Sequence, residues 1–291
     1  MDASRQPKVV TVGDNCIDRY IEPVDADFPG GNALNVAVFL AQEGFPATYV
    51  GVLGDDPEGR FMMASITAMG VEPAVVIKPG ASGVTVLQLL DGDRTFLNED
   101  YGVGESLSTT DLPLNEHLRP GTAWLHAARL RDAERLDDYR VADCPISYDF
   151  TDEFTSEQLE RVCPVLDVAF MSLPNGTAQD TEQTMRMCAD AGAGVVVVTQ
   201  GALGSIATSD GHTFHRHAAP KLEVRDSLGA GDAFIAGFIR AQLAGSSLQD
   251  CLRLATVATR PILGRYGAWR AEGIDPADFD ISTTVATDRT L

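Results

Sequence analysis

Basic side chains are scarce in this sequence. Lys and Arg together number 22, against 42 Asp and Glu, and the formal charge at pH 7 is −20. A surface with this balance repels the phosphate backbone of nucleic acids and the anionic headgroups of membranes. We therefore expect neither nucleic acid nor a membrane among the partners of this protein.

Long apolar runs and regularly spaced cysteines are also missing. No run approaches the roughly 18 apolar residues of a membrane span, and the first residues contain no apolar segment typical of a secretion signal. The cysteines are odd in number and scattered, without a Cys-x-x-Cys pair, at Cys16, Cys144, Cys163, Cys188 and Cys251. These features predict buried, reduced thiols and a cytoplasmic location.

Several common catalytic motifs do not occur. Gly-Lys is absent, which excludes a Walker P-loop, and no Gly-x-Gly-x-x-Gly follows a predicted strand, which argues against a dinucleotide oxidoreductase. There is no His-Glu-x-x-His and no Gly-x-Ser-x-Gly. His212, His215 and His217 crowd a hairpin predicted over 205–217, where alternation on a strand favours a solvated edge over a metal site.

What the sequence does contain is an alternation of short apolar strands and helices. The chain has 291 residues, 44% of them hydrophobic, which suffices for one large core. Strands are predicted at 8–12, 48–53, 145–149, 168–171 and 195–199, and helices at 58–69 and 247–263, the last interrupted by Pro261. Apolar strands separated by helices imply a mostly parallel sheet covered on both faces, so the predicted class is α/β.

The segment 226–232, Asp-Ser-Leu-Gly-Ala-Gly-Asp, carries the strongest functional signal. Gly229 and Gly231 flank Ala230, and apolar residues at helical spacing follow, which predicts a tight loop that opens a buried helix. The first amides of a helix have no partner in the chain, so such a loop can receive a phosphate. Asp232 can then accept the proton of a hydroxyl that attacks this phosphate. The alternative is a glycine turn with a helix-capping Asp.

A second polar cluster follows the first strand. Asp14, Asn15 and Asp18 fall where ligands of open α/β sheets gather, although an Asx-turn accounts for Asp14 equally well. Gly30-Gly31 forms a glycine hinge ahead of a helix, and Asn35 lies in the first turns of that helix. An Asn at this position can cap the helix or bind a sugar hydroxyl as both donor and acceptor.

Residues 82–100 depart from the strand and helix alternation. Two runs around Asp91-Gly92 predict a hairpin that, with residues 16–29, forms a small sheet over the site and keeps water from an activated phosphate. Its charged side chains either bind a charged arm of the substrate or form a solvated tip; they are Asp91, Asp93, Arg94, Glu99 and Asp100. The edges of this sheet also predict a homodimer through the lid.

Both glycine segments resemble the two signatures of the PfkB (ribokinase-like) carbohydrate kinases. The resemblance rests on 30–37, Gly-Gly-Asn-Ala-Leu-Asn-Val-Ala, on 226–238, and on Thr199-x-Gly201-x-x-Gly204 between them. It implies a ribokinase-like three-layer α/β/α sandwich with a central mostly parallel sheet and a small β-sheet lid. The implied α/β catalytic domain comprises 1–15, 30–80 and 106–291, and the implied lid comprises 16–29 and 81–105.

The resemblance further implies an ATP-dependent kinase for a primary sugar hydroxyl, with MgATP as the donor. The family's catalytic base falls on Asp232. Its anion hole falls on the amides of Gly229, Ala230 and Gly231, its nucleotide-side loop on Thr199, Gly201 and Gly204, and its sugar site on Asp18, Gly31, Asn32 and Asn35. Many members also hold a monovalent cation such as K⁺ near the backbone that matches Asp226 and Leu228.

Within the family, the chain is most similar to members that phosphorylate fructosamine (Amadori) sugars. The matching segments are 13–18, which adds Asp14 and Asn15 to the implied sugar site, 124–128 and 266–269. The implied reaction is transfer of the γ-phosphoryl group to the C6 hydroxyl of a sugar such as fructoselysine. A fructokinase, another sugar or nucleoside kinase, and a non-catalytic sugar-binding protein on the same fold are the alternatives.

Two positions depart from the family pattern. The Asn-x-x-Glu motif that helps to place magnesium is replaced by Ser172-Leu-Pro-Asn175, so no direct protein ligand for magnesium is predicted. Ribokinases proper carry a Lys where this chain has Asn32, so ribose is a weaker candidate for the substrate.

Overall fold

The computed structural model describes residues 7–90 and 93–281, and the predicted turn at Asp91-Gly92 lies outside this range. The strands are β1 Lys8–Val12, β2 Cys16–Glu22, β3 Ala26–Gly30, β4 Ala47–Gly54, β5 Glu72–Lys78, β6 Val84–Leu90, β7 Asp93–Asp100, β8 Thr122–Ala128, β9 Ile146–Asp149, β10 Val168–Ser172, β11 Val195–Thr199, β12 Ser205–Thr208 and β13 His215–His217. The α-helices are α1 Asn32–Gln42, α2 Pro57–Ala68, α3 Leu114–His117, α4 Ser156–Val162, α5 Ala178–Asp190, α6 Ala230–Leu243 and α7 Leu248–Leu263.

The large sheet has nine strands in the order β13-β12-β11-β10-β9-β8-β1-β4-β5. Its strands from β11 to β5 pair in parallel, and β12 and β13 add an antiparallel edge. From β1 the chain first builds outward through β4 and β5, and later through β8 on the opposite side. The carboxyl ends of β1 and β8 therefore flank a topological switch point, where ligands of open α/β sheets bind.

Helices cover both faces of this sheet. One core contains Leu34 of α1, Phe61 of α2, Phe238 of α6 and Leu252 of α7. The other core contains side chains of α4 and α5. Strands that are buried on both faces need this arrangement, because their side chains are apolar in both directions. The predicted three-layer α/β/α sandwich with a mostly parallel sheet is confirmed.

A small second sheet has the order β3-β2-β6-β7, so the predicted hairpin and residues 16–30 do form one sheet. The pairs β2–β3 and β6–β7 are antiparallel, and β2–β6 is parallel. Tyr20, Phe28, Leu87 and Leu89 form its buried cluster, against which Leu228 of the segment before α6 packs. The small sheet is thereby held next to the glycine loop.

Two local features differ from the expectations. The helix α7 is not interrupted at Pro261 but continues to Leu263. Proline removes the hydrogen bond to the carbonyl four residues earlier, and the residue there, Val257, is exposed, so water can replace the lost donor. The cysteines are free thiols, and four of them are buried, whereas Cys16 is only partly so. None of the helices in the described ranges has the length and apolar character that a bilayer span requires.

Candidate active site

The glycine loop places the start of α6 at the carboxyl edge of the large sheet. Gly229 has φ 78°, and a Cβ there would lie 2.5 Å from the Cβ of Ala268, so this turn requires glycine. The Ala230 amide donates to the Ser227 carbonyl at 3.1 Å. Within the described residues, the amides of Gly229 and Gly231 have no such acceptor. The predicted anion hole thus offers two amides free of internal bonds.

Asp232 lies in the first turn of α6 between two side-chain amides. Its Oδ1 accepts a hydrogen bond from Nδ2 of Asn32 at 2.8 Å, and its Oδ2 accepts one from Nδ2 of Asn35 at 2.7 Å. The pKa of Asp232 is raised to about 8, mainly by desolvation and also by the charge of Asp149, against the lowering effect of the Asn35 bond. The carboxylate is therefore fixed in orientation and basic enough to take a proton near neutral pH.

A chain of hydrogen bonds sets the orientation of Asn32. Its amide also donates to Oδ2 of Asp149 at 2.6 Å, so its oxygen faces Nε2 of His126 at 3.1 Å. Nδ1 of His126 lies 3.0 Å from the Ser147 hydroxyl. Burial lowers the pKa of His126 to about 3, so the ring is neutral. We assign the proton to Nε2, because the Asn32 oxygen can only accept.

The second amide is held in the same way from another part of the chain. Nε1 of Trp269 donates to Oδ1 of Asn35 at 2.8 Å, and both residues are buried. Each amide that contacts Asp232 thus has its oxygen occupied by a buried ring donor, and its nitrogen is directed at the carboxylate. Such support restricts the carboxylate to one geometry.

The residues that follow β1 divide into two groups. Asp14 accepts the backbone amides of Asn32 at 3.0 Å and Ala33 at 3.3 Å, so it caps α1, whose preceding Gly31 has no side chain to do so. Asn15 donates to the Tyr49 hydroxyl and to the Val52 carbonyl, both within the large sheet. The structure therefore gives Asp14 and Asn15 internal partners.

Gly31 has φ 102°, and a Cβ there would lie 2.3 Å from the Cα of Asn15. This close approach brings the start of α1 against the loop after β1, and only glycine allows it.

Asp18 faces the site from β2 of the small sheet. It is buried, and the Cys16 thiol lies 3.4 Å from its Oδ1. Burial raises the pKa of Asp18 to about 7, and burial likewise raises that of Asp149 to about 6. The charges of Asp149 and Asp18 in turn raise the pKa of Asp232, so ionisation of either disfavours ionisation of the base.

The region of the predicted monovalent cation is already rich in donors. The buried Asp226 carboxylate accepts the hydroxyl of Tyr20 and the amides of Leu228 and Gly267. Nη1 of Arg94, from β7, lies 3.8 Å from its Oδ1. This carboxylate therefore joins the small sheet to the loop that carries the anion hole.

The predicted nucleotide loop lies at the end of β11. Thr199 ends the strand, a short 3₁₀ turn spans Gly201–Leu203, and Gly204 has φ 108°. A Cβ at Gly204 would lie 2.0 Å from the His217 carbonyl oxygen, which makes glycine necessary. The exposed Leu203 projects an apolar side chain at this loop. Thr199, Gly201 and Gly204 thus lie together at the end of β11, apart from Asp18, Asp149 and Asp232.

Sequence reasoning missed Asp149 and Trp269 as parts of this site. Asp149 ends a buried strand in the same manner as the polar residues after β1, and this placement was the available signal. Trp269 lies in the matching segment 266–269, but nothing local indicates its contact, because its partner Asn35 lies 234 positions away in sequence. No group of three or more His, Cys, Asp or Glu in the described part of the chain is placed to bind a metal ion.

Comparison with known proteins identifies the family. The pfkB family carbohydrate kinase profile matches residues 8–270. Fructoselysine 6-kinase of Escherichia coli (strain K12) is 35% identical over 273 residues, which cover 90% of this chain and 99% of that protein. Fructosamine kinase FrlD of Bacillus subtilis (strain 168) is 28% identical over 265 residues, which cover 90% and 93%.

Solved structures show the same fold. Arabidopsis thaliana ribokinase complexed with ribose and ATP superposes with a TM-score of 0.74 at 22% identity, over 95% of this chain and 100% of that one. The microbiome-derived acarbose kinase Mak1 superposes with a TM-score of 0.77 at 22% identity, over 91% and 95%. The fold is therefore ribokinase-like. The chain belongs to the pfkB family of carbohydrate kinases and is an ATP-dependent sugar kinase.

Proposed function

We propose that this protein phosphorylates the C6 hydroxyl of a fructosamine sugar, with fructoselysine as the representative substrate. The observation that carries the proposal is the Asp232 carboxylate, held by the amides of Asn32 and Asn35 beside the free amides of Gly229 and Gly231. A base and an anion site at one helix N-terminus are what phosphoryl transfer to an alcohol requires.

In the proposed reaction, Asp232 accepts the proton of the sugar hydroxyl as its oxygen attacks the γ-phosphorus in line. Its raised pKa suits this role, because a base with a pKa near the working pH transfers a proton efficiently. The free amides of Gly229 and Gly231 face the charge on the transferred oxygens, and the Ala230 amide joins them by exchanging its bond to the Ser227 carbonyl. Asp18, Gly31, Asn32 and Asn35 position the sugar, and Asp14 and Asn15 support them from behind.

The choice of a fructosamine over a neutral sugar is supported by charge. Burial is the main cause of the raised pKa values of Asp18, Asp149 and Asp232, and at Asp232 the charges of Asp149 and Asp18 add repulsion. An acceptor that brings a cation relieves this repulsion, and the secondary amine of a fructosamine is protonated in its acidic surroundings. The relatives that share 28% and 35% identity with this chain carry the names fructosamine kinase and fructoselysine 6-kinase.

The donor in this proposal is MgATP, bound along Thr199, Gly201 and Gly204. Magnesium bound to the phosphates would neutralise charge on the transferred group, and no carboxylate cage for it occurs among the described residues. A K⁺ ion near Asp226 and Leu228 would rely on backbone carbonyls, because the Asp226 carboxylate already accepts three donors.

The small sheet serves as the lid in this proposal, with 16–29 and 81–105 as its parts and 1–15, 30–80 and 106–291 as the catalytic domain. Phe96 and Leu97 are exposed on its edge strand β7, which supports a homodimer formed through the lid. Light scattering at micromolar concentration tests the dimer, and a monomer mass contradicts it. A cytoplasmic location is part of the same proposal.

The experiment that tests the function compares fructoselysine, fructose and ribose as acceptors, with ADP release as the readout and NMR of the product to locate the phosphate. We expect the highest kcat/KM with fructoselysine and phosphate on C6. Asp232→Asn is the control for catalysis at this site. Equal kcat/KM for fructoselysine and fructose contradicts the fructosamine assignment and favours a fructokinase, and no acceptor-dependent ADP release contradicts an active kinase.

A further inference from the structure

Arg129 is held in an unusual backbone conformation beside the active site. It directly follows β8 and has φ 51°, in the left-handed region that non-glycine residues rarely adopt. Strained positions of this kind concentrate at ligand sites. The backbone conformation of Arg129 therefore indicates that its side chain has a role at this site.

The guanidinium of Arg129 is stacked but not ion-paired. It lies 4.4 Å from the centre of the Tyr101 ring, and the Tyr101 hydroxyl donates to Glu99 at 3.2 Å. Among residues 7–90 and 93–281, no carboxylate lies within ion-pairing distance of Arg129 and no acceptor is bonded to it. Against the lowering effect of burial, Asp14, Glu99 and Glu153 raise the pKa of Arg129 from beyond that distance, so the guanidinium is charged and keeps its N–H groups for a ligand.

The position of Arg129 is on the acceptor side of the site. It lies at the switch point between β1 and β8, three residues after His126, whose ring contacts Asn32. Tyr101, on which Arg129 stacks, lines a small recess together with Asp14. The nucleotide loop follows β11, which is three strands away from β8, or about 14 Å at the usual strand spacing. Arg129 is thus separated from the nucleotide loop by half of the parallel part of the sheet.

We propose that Arg129, stacked on Tyr101, binds the carboxylate of the amino-acid arm of the acceptor. This inference rests on the proposed fructosamine kinase function and adds to it that the arm must carry a carboxylate. A guanidinium presents paired N–H groups that match the two oxygens of a carboxylate, and stacking on a ring holds its plane while leaving its edges free. In this arrangement the buried carboxyl groups of Asp18, Asp149 and Asp232 lie toward the amine of the acceptor, and Arg129 lies toward its carboxylate.

The test compares two acceptors that differ in one group. Fructoselysine carries the carboxylate, and the mono-fructosyl adduct of cadaverine is the same compound without it. For the wild-type protein we expect kcat/KM about 10- to 100-fold higher with fructoselysine, the range of one charge-assisted pair. Arg129→Met should remove this difference, mainly by raising KM for fructoselysine, and should leave the cadaverine adduct nearly unchanged. Arg129→Lys should retain part of it.

Arg131→Met is the matched control, because Arg131 is exposed two residues further along and its change of charge is identical. It should leave both acceptors unaffected. An equal loss of kcat/KM on both acceptors in Arg129→Met, no loss on either, or a raised KM for ATP overturns the assignment of Arg129. Wild-type protein that does not prefer either fructosamine to fructose instead overturns the proposed function. Thermal melting verifies that each variant is folded, and Arg129→Lys decides the matter where Arg129→Met does not fold.

Discussion

The two ends of the carboxyl edge of the large sheet are built in different ways. At the acceptor end, Asn35, Asp18 and Asp149 are 3%, 4% and 9% exposed, and side-chain hydrogen bonds fix each polar group near Asp232. At the nucleotide end, Leu203 is 66% exposed, and the loop is shaped by the backbone of Gly201 and Gly204. The acceptor end is thus organised by hydrogen-bonded side chains before any ligand binds. The nucleotide end is defined by its backbone conformation and by an exposed apolar side chain.

Removing the base from the acceptor end is expected to have the largest effect. Asp232→Asn keeps the size of the side chain but cannot accept a proton, so kcat should fall by about 10²- to 10⁴-fold. Binding of ATP, measured by calorimetry, should change little because the nucleotide loop lies at the other end. Asp190→Asn, an exposed carboxylate on α5, is the control. Turnover of Asp232→Asn close to that of the wild type contradicts the base role.

At the nucleotide end, stability and ATP binding should depend on the backbone conformation of the loop. A pair of glycine substitutions tests this dependence. At Gly204 a Cβ would lie 2.0 Å from a carbonyl oxygen, whereas at Gly201 the nearest atom is 3.9 Å away. We expect Gly204→Ala to lower the free energy of unfolding by about 2–4 kcal/mol and to raise KM for ATP. Gly201→Ala should cost about 1 kcal/mol, because only its left-handed backbone is disfavoured. Urea unfolding and ATP kinetics measure both, and equal losses contradict this view of the loop.

A smaller effect is expected from the support behind Asn35. Trp269→Phe removes the ring N–H that bonds to Oδ1 of Asn35 and leaves that oxygen buried without a donor. The free energy of unfolding should fall by about 1–3 kcal/mol, and kcat should fall several-fold because Asn35 no longer holds Asp232 in place. Tyr148→Phe, which removes a buried hydroxyl bonded to the Leu130 backbone, is the control for lost stability alone. An unchanged kcat in Trp269→Phe would mean that Asn35 does not need this support.

The same contrast explains how much could be predicted from the sequence. The α/β class, the strands that end at the site and both glycine loops depend on local periodicity and on backbone conformations that only glycine adopts, so short segments reveal them. The roles predicted for residues such as Asp232 and Gly204 stay predictions, and the structure adds the contacts that make them reasonable. The edge strand β5 was not predicted, because Pro73 near its start argues against a strand.

The hydrogen-bonded network behind Asp232 was out of reach for another reason. Asn32 contacts residues 94, 117 and 200 positions away in the chain. No local pattern encodes such pairings, because they follow from the order of strands in the sheet. Arg129 shows the same limit, since its left-handed backbone and its stacking on Tyr101 are visible only in the folded chain.

The raised pKa values predict how pH acts on stability. The pKa values of Asp18 and Asp232 are about 7 and about 8 in the folded state, above the model-peptide value of 3.8. Between pH 3.8 and the folded-state pKa values, the folded protein keeps protons on these two side chains that the unfolded chain has lost. The free energy of unfolding should therefore fall as the pH rises from about 4 to about 8. Urea unfolding across this range checks the sign.

The smallest predicted effect is a shift in the pH profile of catalysis. As the pH rises toward about 8, Asp232 loses its proton, so kcat/KM for a neutral acceptor such as fructose should increase with pH. Asp149 is the nearest carboxylate that raises this pKa, and Asp149→Asn removes its charge. The ascending limb should then move to lower pH by up to about one unit. Asp152→Asn, on the exposed loop nearby, should leave the limb in place, and a limb that stays fixed in Asp149→Asn means that the two carboxylates do not titrate as neighbours.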